Sequence, residues 1–334
     1  MRRHDNLFEK VCTFENLYNS YLKARKSKND RAEVLRFNYD VESELIRLES
    51  ELRNGTYKTG KYRQFTIFEP KERNIFVLPF RDRVVHHAVY SILYPIYDNI
   101  FIADSFACRE NKGTHVGIER LESFIRASDN DSYVLKCDVS KYFPSVNHSI
   151  LKRVLRKKIK DVRLLSLLDT IIDSAQEGIP IGNLTSQLFA NIYLNELDYY
   201  VKHDLGVKYY LRYMDDFIVI HKSKSFLGVL KSKIKVFFES LKLSMHPKKA
   251  NVFPLTDGVD FLGYRVFRGH RLARKSTVFR FLRNTKKKIK RYHLREISFD
   301  KLLESFNSWF AYLGHANTFG LKKSLMARYH KNVF

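Results

Sequence analysis

Two adjacent aspartates interrupt an otherwise strand-like stretch, YYLRYMDDFIVIH, at residues 209–221. Aspartate is a poor strand former, whereas the aromatic and β-branched residues on either side favour strands. The pattern predicts two short strands joined by a turn at Met214-Asp215-Asp216. Such a turn would expose two carboxylates at a hairpin tip, the oxygen-donor chemistry that hard divalent cations take. Two readings are open from these residues alone: a metal-dependent phosphoryl-transfer site, or a solvated Asp-Asp turn.

Charge narrows the choice. The 334-residue chain carries 60 Lys/Arg against 36 Asp/Glu, a formal net charge of +24, and its last 72 residues hold 18 Lys/Arg against 3 Asp/Glu. A field of that sign attracts polyanions, and basic residues interleaved with 26 Phe and 20 Tyr suit a phosphate backbone with stackable bases. No apolar run is long enough to span a bilayer, and the N-terminal MRRHDNLFEK lacks the apolar core of a signal peptide. Nucleic acid, and not a membrane, is the expected partner. Cys12, Cys108 and Cys137 have neither disulfide nor zinc spacing, which fits a reducing cytoplasm. His86-His87 invites a metal reading, but neighbouring residues point to different helix faces, so packing or polar-surface roles are expected.

Along the chain, Val41, Leu45, Leu48 and Leu52 mark an amphipathic helix ending at Asn54-Gly55. Extended segments at 64–69 and 74–78 flank a basic turn, Pro70-Lys71-Glu72-Arg73. Helices are predicted at 80–96, interrupted by Pro95, and at 114–126, 150–159, 162–172 and 184–203. The loop 178–182 opens the last of these. A strand at 132–137 ends in Asp138. After the Asp-Asp hairpin come a helix at 226–241, the basic turn Pro247-Lys248-Lys249, strands at 251–253 and 259–267, and helices starting near Ser276, Ser298 and Leu321. This alternation predicts one α+β core with a basic helical tail. Asp138 supplies the third carboxylate that two divalent ions would require. Three carboxylates could clamp ions about 3.5–4 Å apart, the spacing of two-metal phosphoryl transfer. A turn or capping role is the alternative for Asp138 taken by itself.

Taken in order, these blocks resemble the reverse transcriptases over nearly the whole chain. LKCDVSKYFPSV (135–146) is similar to their first palm motif, YMDD (213–216) to the second, and FLGYRVF (261–267) to the strand pair that grips the primer. PKERNIFVLPFRDRVVHHAV (70–89) and DSFACRENKGTHVGI (104–118) resemble finger motifs of the bacterial, group-II-intron-like branch. The resemblance implies a right hand: fingers at 1–112 and 147–178, palm at 113–146 and 179–267, thumb at 268–334. It implies Asp138, Asp215 and Asp216 as metal ligands for two Mg²⁺, with Mn²⁺ as a substitute. Phe143 corresponds to the aromatic gate that excludes a 2′-hydroxyl, with a plain core phenylalanine as the alternative. Lys71 and Arg73 correspond to the triphosphate-binding finger cations. Lys249 corresponds to the lysine near the leaving pyrophosphate, a place for which Lys248 competes. Arg109 would touch template or brace the fingers. Gly182, Gln187, Tyr213, Met214 and the run Lys286-Lys287-Lys288 would lie along template and primer.

One departure narrows the resemblance. Ile181 stands where most reverse transcriptases have Gln, and Gln187 where they have Pro. An aliphatic residue before Gly and a Gln after Ser resemble the enzymes of diversity-generating retroelements. Those copy a template-repeat RNA with frequent errors opposite adenine and act with a small basic pentameric accessory protein. Ile cannot donate the hydrogen bonds of Gln, and losing one or two at roughly 0.5–1.5 kcal/mol each lowers discrimination about three- to a hundred-fold. Ile181 packing silently against the palm is the other reading. The nearest rival is a retron or phage-defence reverse transcriptase, although the Val-Thr-Gly motif usual in retron enzymes is absent. A rival of another class, a non-catalytic RNA-binding or maturase-like protein, predicts loss of the carboxylates, and all three are present. No ribonuclease H or endonuclease domain is expected within these residues.

Overall fold

The structure is a computed structural model that describes residues 3–68 and 71–333, with side chains described as far as residue 327. In chain order the elements are α1 (Phe8–Cys12), α2 (Phe14–Arg25), α3 (Ala32–Tyr39), α4 (Val41–Arg53), β1 (Arg63–Ile67), β2 (Arg73–Val77), α5 (Phe80–Asp98) and α6 (Thr114–Ala127). There follow β3 (Tyr133–Asp138), α7 (Tyr142–Ser145), α8 (His148–Arg156), α9 (Val162–Asp173), α10 (Leu184–Tyr199), β4 (Tyr209–Tyr213), β5 (Asp216–His221) and α11 (Lys224–Ser240). The chain continues with β6 (Asn251–Pro254), β7 (Val259–Phe261), β8 (Tyr264–Val266), β9 (Arg271–Ala273), α12 (Lys275–His293), α13 (Phe299–Gly314) and α14 (Phe319–Val333). Strands form a β1-β2 pair, a four-stranded sheet ordered β4-β5-β3-β6, and a β7-β8-β9 sheet.

Two compact units are resolved, one of residues 1–113, 136–217 and 229–250, the other of 114–135, 218–228 and 251–334. In the first, α5 packs on α2 and α10. Helix α10 is buried on nearly every face, surrounded by protein although several of its residues are polar. Its buried Thr185, Asn191 and Asp198 therefore need partners inside the fold, because a buried polar group left unpaired is costly. In the second unit, α12, α13 and α14 enclose a core of Ile289, Leu302, Trp309, Leu313 and Leu325.

Several sequence expectations are corrected. Pro95 does not interrupt α5, which runs on to Asp98. Proline removes one N–H bond to the carbonyl four residues earlier, but Leu93, Tyr94 and Tyr97 are buried around it, so packing holds the helix together. The helix expected to reach residue 203 changes at Tyr200 into a π turn through Asp204. The segment 259–267, one strand by its residue pattern but a strand pair by resemblance over 261–267, folds back at Leu262-Gly263, both with positive φ (47° and 95°), giving the antiparallel β7-β8 pair. Helices α1–α3 and strand β9 add to the elements that the sequence pattern predicts. Pro70, the first residue of the expected basic turn, lies outside the described residues.

Candidate active site

The Asp-Asp turn is tighter than its sequence suggests. Only Met214 and Asp215 form the turn, and Asp216 is the first residue of β5. Both aspartates are half-buried, not exposed at a tip, because apolar residues of β4 and β5 draw the hairpin inward. Met214 adopts a left-handed conformation (φ 54°), which glycine ordinarily supplies at the first position of a two-residue hairpin turn.

Asp138 ends β3, next to β5 in the sheet. The Val139 amide donates to the Asp215 carbonyl at 3.2 Å, so the backbones carrying Asp138 and the Asp215-Asp216 pair are adjacent, and Asp138 acts electrostatically on both. Lys249 Nζ lies 2.6 Å from Asp138 Oδ2, and Lys136 Nζ lies 3.3 Å from Asp216 Oδ2. Lys248, by contrast, is exposed. Burial pushes Asp216 up to about 6, against the pull of Lys136 and with a push from Asp138 and Asp215. Asp215 is raised too, first by burial and then by Asp138, while Lys249 and Arg73 pull it down. Asp216 Oδ1 is buried and has no hydrogen-bond partner. Surplus negative charge and an orphaned hard oxygen are the donor chemistry a divalent cation fits. Among the described residues, no three carboxylate, His or Cys side chains are gathered into a ready metal cluster, and Lys249 and Lys136 are paired with two of these carboxylates.

Beside the carboxylates, the loop 178–182 is tied at both ends. The Ile179 amide donates to the Phe143 carbonyl at 2.9 Å, and the Phe76 amide of β2 donates to the Ile181 carbonyl at 2.8 Å. Gly178 (φ 60°) and Gly182 (φ 129°) make the closeness possible: a Cβ would lie 2.3 Å from the carbonyl oxygens of Phe143 and Phe76 respectively. Phe143 and Ile181 are half-buried at the two tied points, and Gln187 is exposed on α10. The neighbouring Tyr142 is buried, its hydroxyl donating to the Ala190 carbonyl at 2.5 Å.

The remaining predicted residues fall into different settings. Lys71 and Arg73 are exposed on the β1-β2 hairpin. Arg109 is a brace: its guanidinium donates to the Asp98 carboxylate at 2.6 Å and to the carbonyls of Ile102, Ser105 and Asp98, with only 7% of the side chain exposed. That arrangement takes up the group a template contact would need. Tyr213 and Met214 are half-buried at the hairpin. In the second unit, Lys286 and Lys287 are exposed, whereas Lys288 donates to Ser305 Oγ at 2.8 Å across α12 and α13. His86 is buried with Nδ1 2.8 Å from Thr185 Oγ1, and burial pushes it down to about 3, a neutral packing residue.

Sequence reasoning missed Lys136 and the buried group Arg212, Asp198 and Asn191 beneath the hairpin. The available signal was a lone Arg inside an apolar strand and a lone Asp inside an apolar helix.

This fold of helices and antiparallel sheet is that of a right-hand polymerase. Residues 61–266 match the reverse transcriptase (RNA-dependent DNA polymerase) family, and the chain belongs to it. It is 28% identical over 274 residues to protein YkfC of Escherichia coli K12, covering 67% of this chain and 71% of that protein. It is 26% identical over 173 residues to the group II intron-encoded protein LtrA of Lactococcus lactis, covering 48% of this chain and 28% of LtrA. It is 29% identical over 133 residues to the retron Ec73 reverse transcriptase of E. coli, covering 36% of this chain and 41% of that protein. The chain therefore spans less than half the length of two of these relatives.

Proposed function

We propose that the protein is an RNA-directed DNA polymerase of a diversity-generating retroelement, copying a template-repeat RNA with relaxed selection opposite adenine. The observation that carries the reading is the tied loop: an aliphatic residue, Ile181, is held by backbone bonds between Phe143 and the hairpin bearing Lys71 and Arg73. In this reading the first unit supplies fingers and much of the palm, and the basic α12–α14 bundle is the thumb that follows the template–primer backbone.

Asp138, Asp215 and Asp216 would hold two Mg²⁺. When bound, these ions would supply charge that lowers the pKa of the primer 3′-hydroxyl and offsets the leaving pyrophosphate. Lys71 and Arg73 bind the triphosphate by charge-assisted contacts. Lys249, released from Asp138, meets the pyrophosphate. Phe143 closes the space a 2′-hydroxyl would need. Ile181 gives the base pair no hydrogen bond, so a mispair loses less than it would beside Gln.

Sequencing of cDNA made on a cognate RNA, with and without a small basic accessory protein, tests this. Ile181→Gln is expected to lower misincorporation opposite template adenine about three- to a hundred-fold while leaving other template bases unchanged. An adenine error rate no higher than at other bases in the parent would favour a retron or phage-defence enzyme. An unchanged spectrum in the variant would remove Ile181 from the mechanism.

A further inference from the structure

Among the described residues, the largest fully buried side chain, that of Arg212, lies directly beneath the Asp-Asp turn, and its polar groups are spent in an unusual way. Arg212 and Asp198 are both 0% exposed. Arg212 Nε and Nη2 fork onto Asp198 Oδ1 and Oδ2 at 2.7 and 2.5 Å, the bidentate geometry that fixes a guanidinium plane. The Tyr210 hydroxyl donates to Asp198 Oδ1 at 2.6 Å, so the anchor is itself anchored. Nη1 then has two acceptors, Asn191 Oδ1 at 3.2 Å and the Met214 carbonyl at 3.1 Å. Asn191 is oriented by its own amide, which donates to the Ala107 carbonyl at 2.8 Å. The Arg212 backbone is held as well: its amide donates to the Asp104 carbonyl at 2.9 Å, and its carbonyl accepts from the Phe106 amide at 3.0 Å.

We infer that Arg212 is a positioning residue for catalysis: anchored by Asp198, it holds the Met214 carbonyl and so fixes the peptide that carries Asp215. Two physical facts make this more than a stabilising pair. Met214 is a non-glycine residue with a left-handed backbone, a conformation that persists only where surroundings over-determine it. The guanidinium bond is made to the carbonyl of that very residue. A buried ion pair, moreover, is a weak device for stability, since well-packed apolar replacements are commonly neutral or stabilising. Its return lies in geometry. Asp198 and Asn191 both stand on α10, the helix opened by the tied loop, so the loop beside the nucleotide and the turn bearing the carboxylates share one anchor.

The test compares Arg212→Met alone with the triple variant Arg212→Met, Asp198→Leu, Tyr210→Phe, which removes the buried ion pair and the hydroxyl bound to it together, leaving no charge orphaned. It rests on the polymerase reading for its kinetic arm, so Mn²⁺ binding to the nucleotide-free protein, followed by electron paramagnetic resonance, supplies an arm that does not. The single variant is expected to lose stability, and the triple variant to melt within a few degrees of the parent. In the triple variant kcat and Mn²⁺ affinity should each fall about 10- to 100-fold, the usual cost of losing a group that orients metal ligands, with KM for dNTP within about twofold. Adding Met214→Gly should restore part of both losses, because glycine takes the left-handed turn without help. If the triple variant does not fold, Arg212→Lys is read in the same way, since an ammonium cannot fork Asp198 and also reach Met214. A folded variant with parental kcat and Mn²⁺ affinity, or losses that Met214→Gly leaves untouched, overturns the inference. A parent that binds Mn²⁺ but makes no cDNA overturns only the polymerase reading.

Discussion

Two β-hairpins of the protein present charge, and they are built in opposite ways. In the β4-β5 hairpin, Tyr210, Leu211, Arg212 and Phe217 are buried, the turn backbone is left-handed at Met214, and a buried guanidinium pins it. In the β1-β2 hairpin, most residues are exposed, including Phe65 at 45% and Ile67 at 37%. Neither Lys71 nor Arg73 makes an ion pair or side-chain hydrogen bond with another described residue. In the proposed polymerase reading, the difference follows from what each charge would do. Carboxylates that share a cation need fixed geometry before the ligand arrives, because the cost of misplacement falls on the reaction itself. Cations that catch a triphosphate can stay solvated and let the ligand order them.

The largest effect expected from this contrast is on the fixed side. Asp215→Ala should reduce dNTP incorporation on an RNA template by at least about 10³-fold, the scale of losing a group that stabilises transition-state charge. Single-turnover primer extension reads it directly, and incorporation close to the parental rate would remove the hairpin from the chemistry.

The exposed side should behave differently in kind. Lys71→Ala and Arg73→Ala should raise KM for dNTP about 10- to 100-fold, because each removes charge-assisted hydrogen bonds worth roughly 1.5–3 kcal/mol. The melting temperature should stay within about a degree, as for other exposed substitutions without partners. A clear loss of stability in either variant would show that these cations are structural, and the contrast between the hairpins would break.

The same contrast explains what the sequence disclosed. Asp138, Asp215 and Asp216 were legible because carboxylates inside apolar strands violate local preference, and such violations mark function. Gly178 and Gly182 were legible as a loop, though the carbonyl approaches that require them were not. Arg212 was hidden for a physical reason: an arginine in a strand ordinarily reads as a surface residue with its head in water. Its true partner, Asp198, is on another element, and no local periodicity connects strand β4 to helix α10. Tertiary packing likewise carried α5 through Pro95 and shortened the Asp-Asp turn to two residues. Local rules thus pointed to the candidate carboxylates but not to the buried polar group beneath them.

The smallest effect is on stability, and it runs against intuition. Asp216 has a pKa of about 6 in the folded protein, above the ordinary aspartate value, with burial as the main cause. Between roughly pH 4 and 6 the folded chain therefore holds a proton that the unfolded chain has released. That linkage favours the fold below pH 4 and is lost as pH rises through 6, so at neutral pH the ionised carboxylate is a cost. Asp216→Asn removes the charge at nearly constant shape. In metal-free protein with chelator at pH 7.5 it should stabilise the fold by about 1–3 kcal/mol, less what Lys136 loses with its carboxylate at 3.3 Å. The gain should shrink toward zero at pH 4, while incorporation is lost at every pH. Thermal unfolding across that range decides the matter. A variant less stable than the parent at pH 7.5 would mean that the charge supports the fold, and that the fixed hairpin carries its carboxylates at no cost to stability.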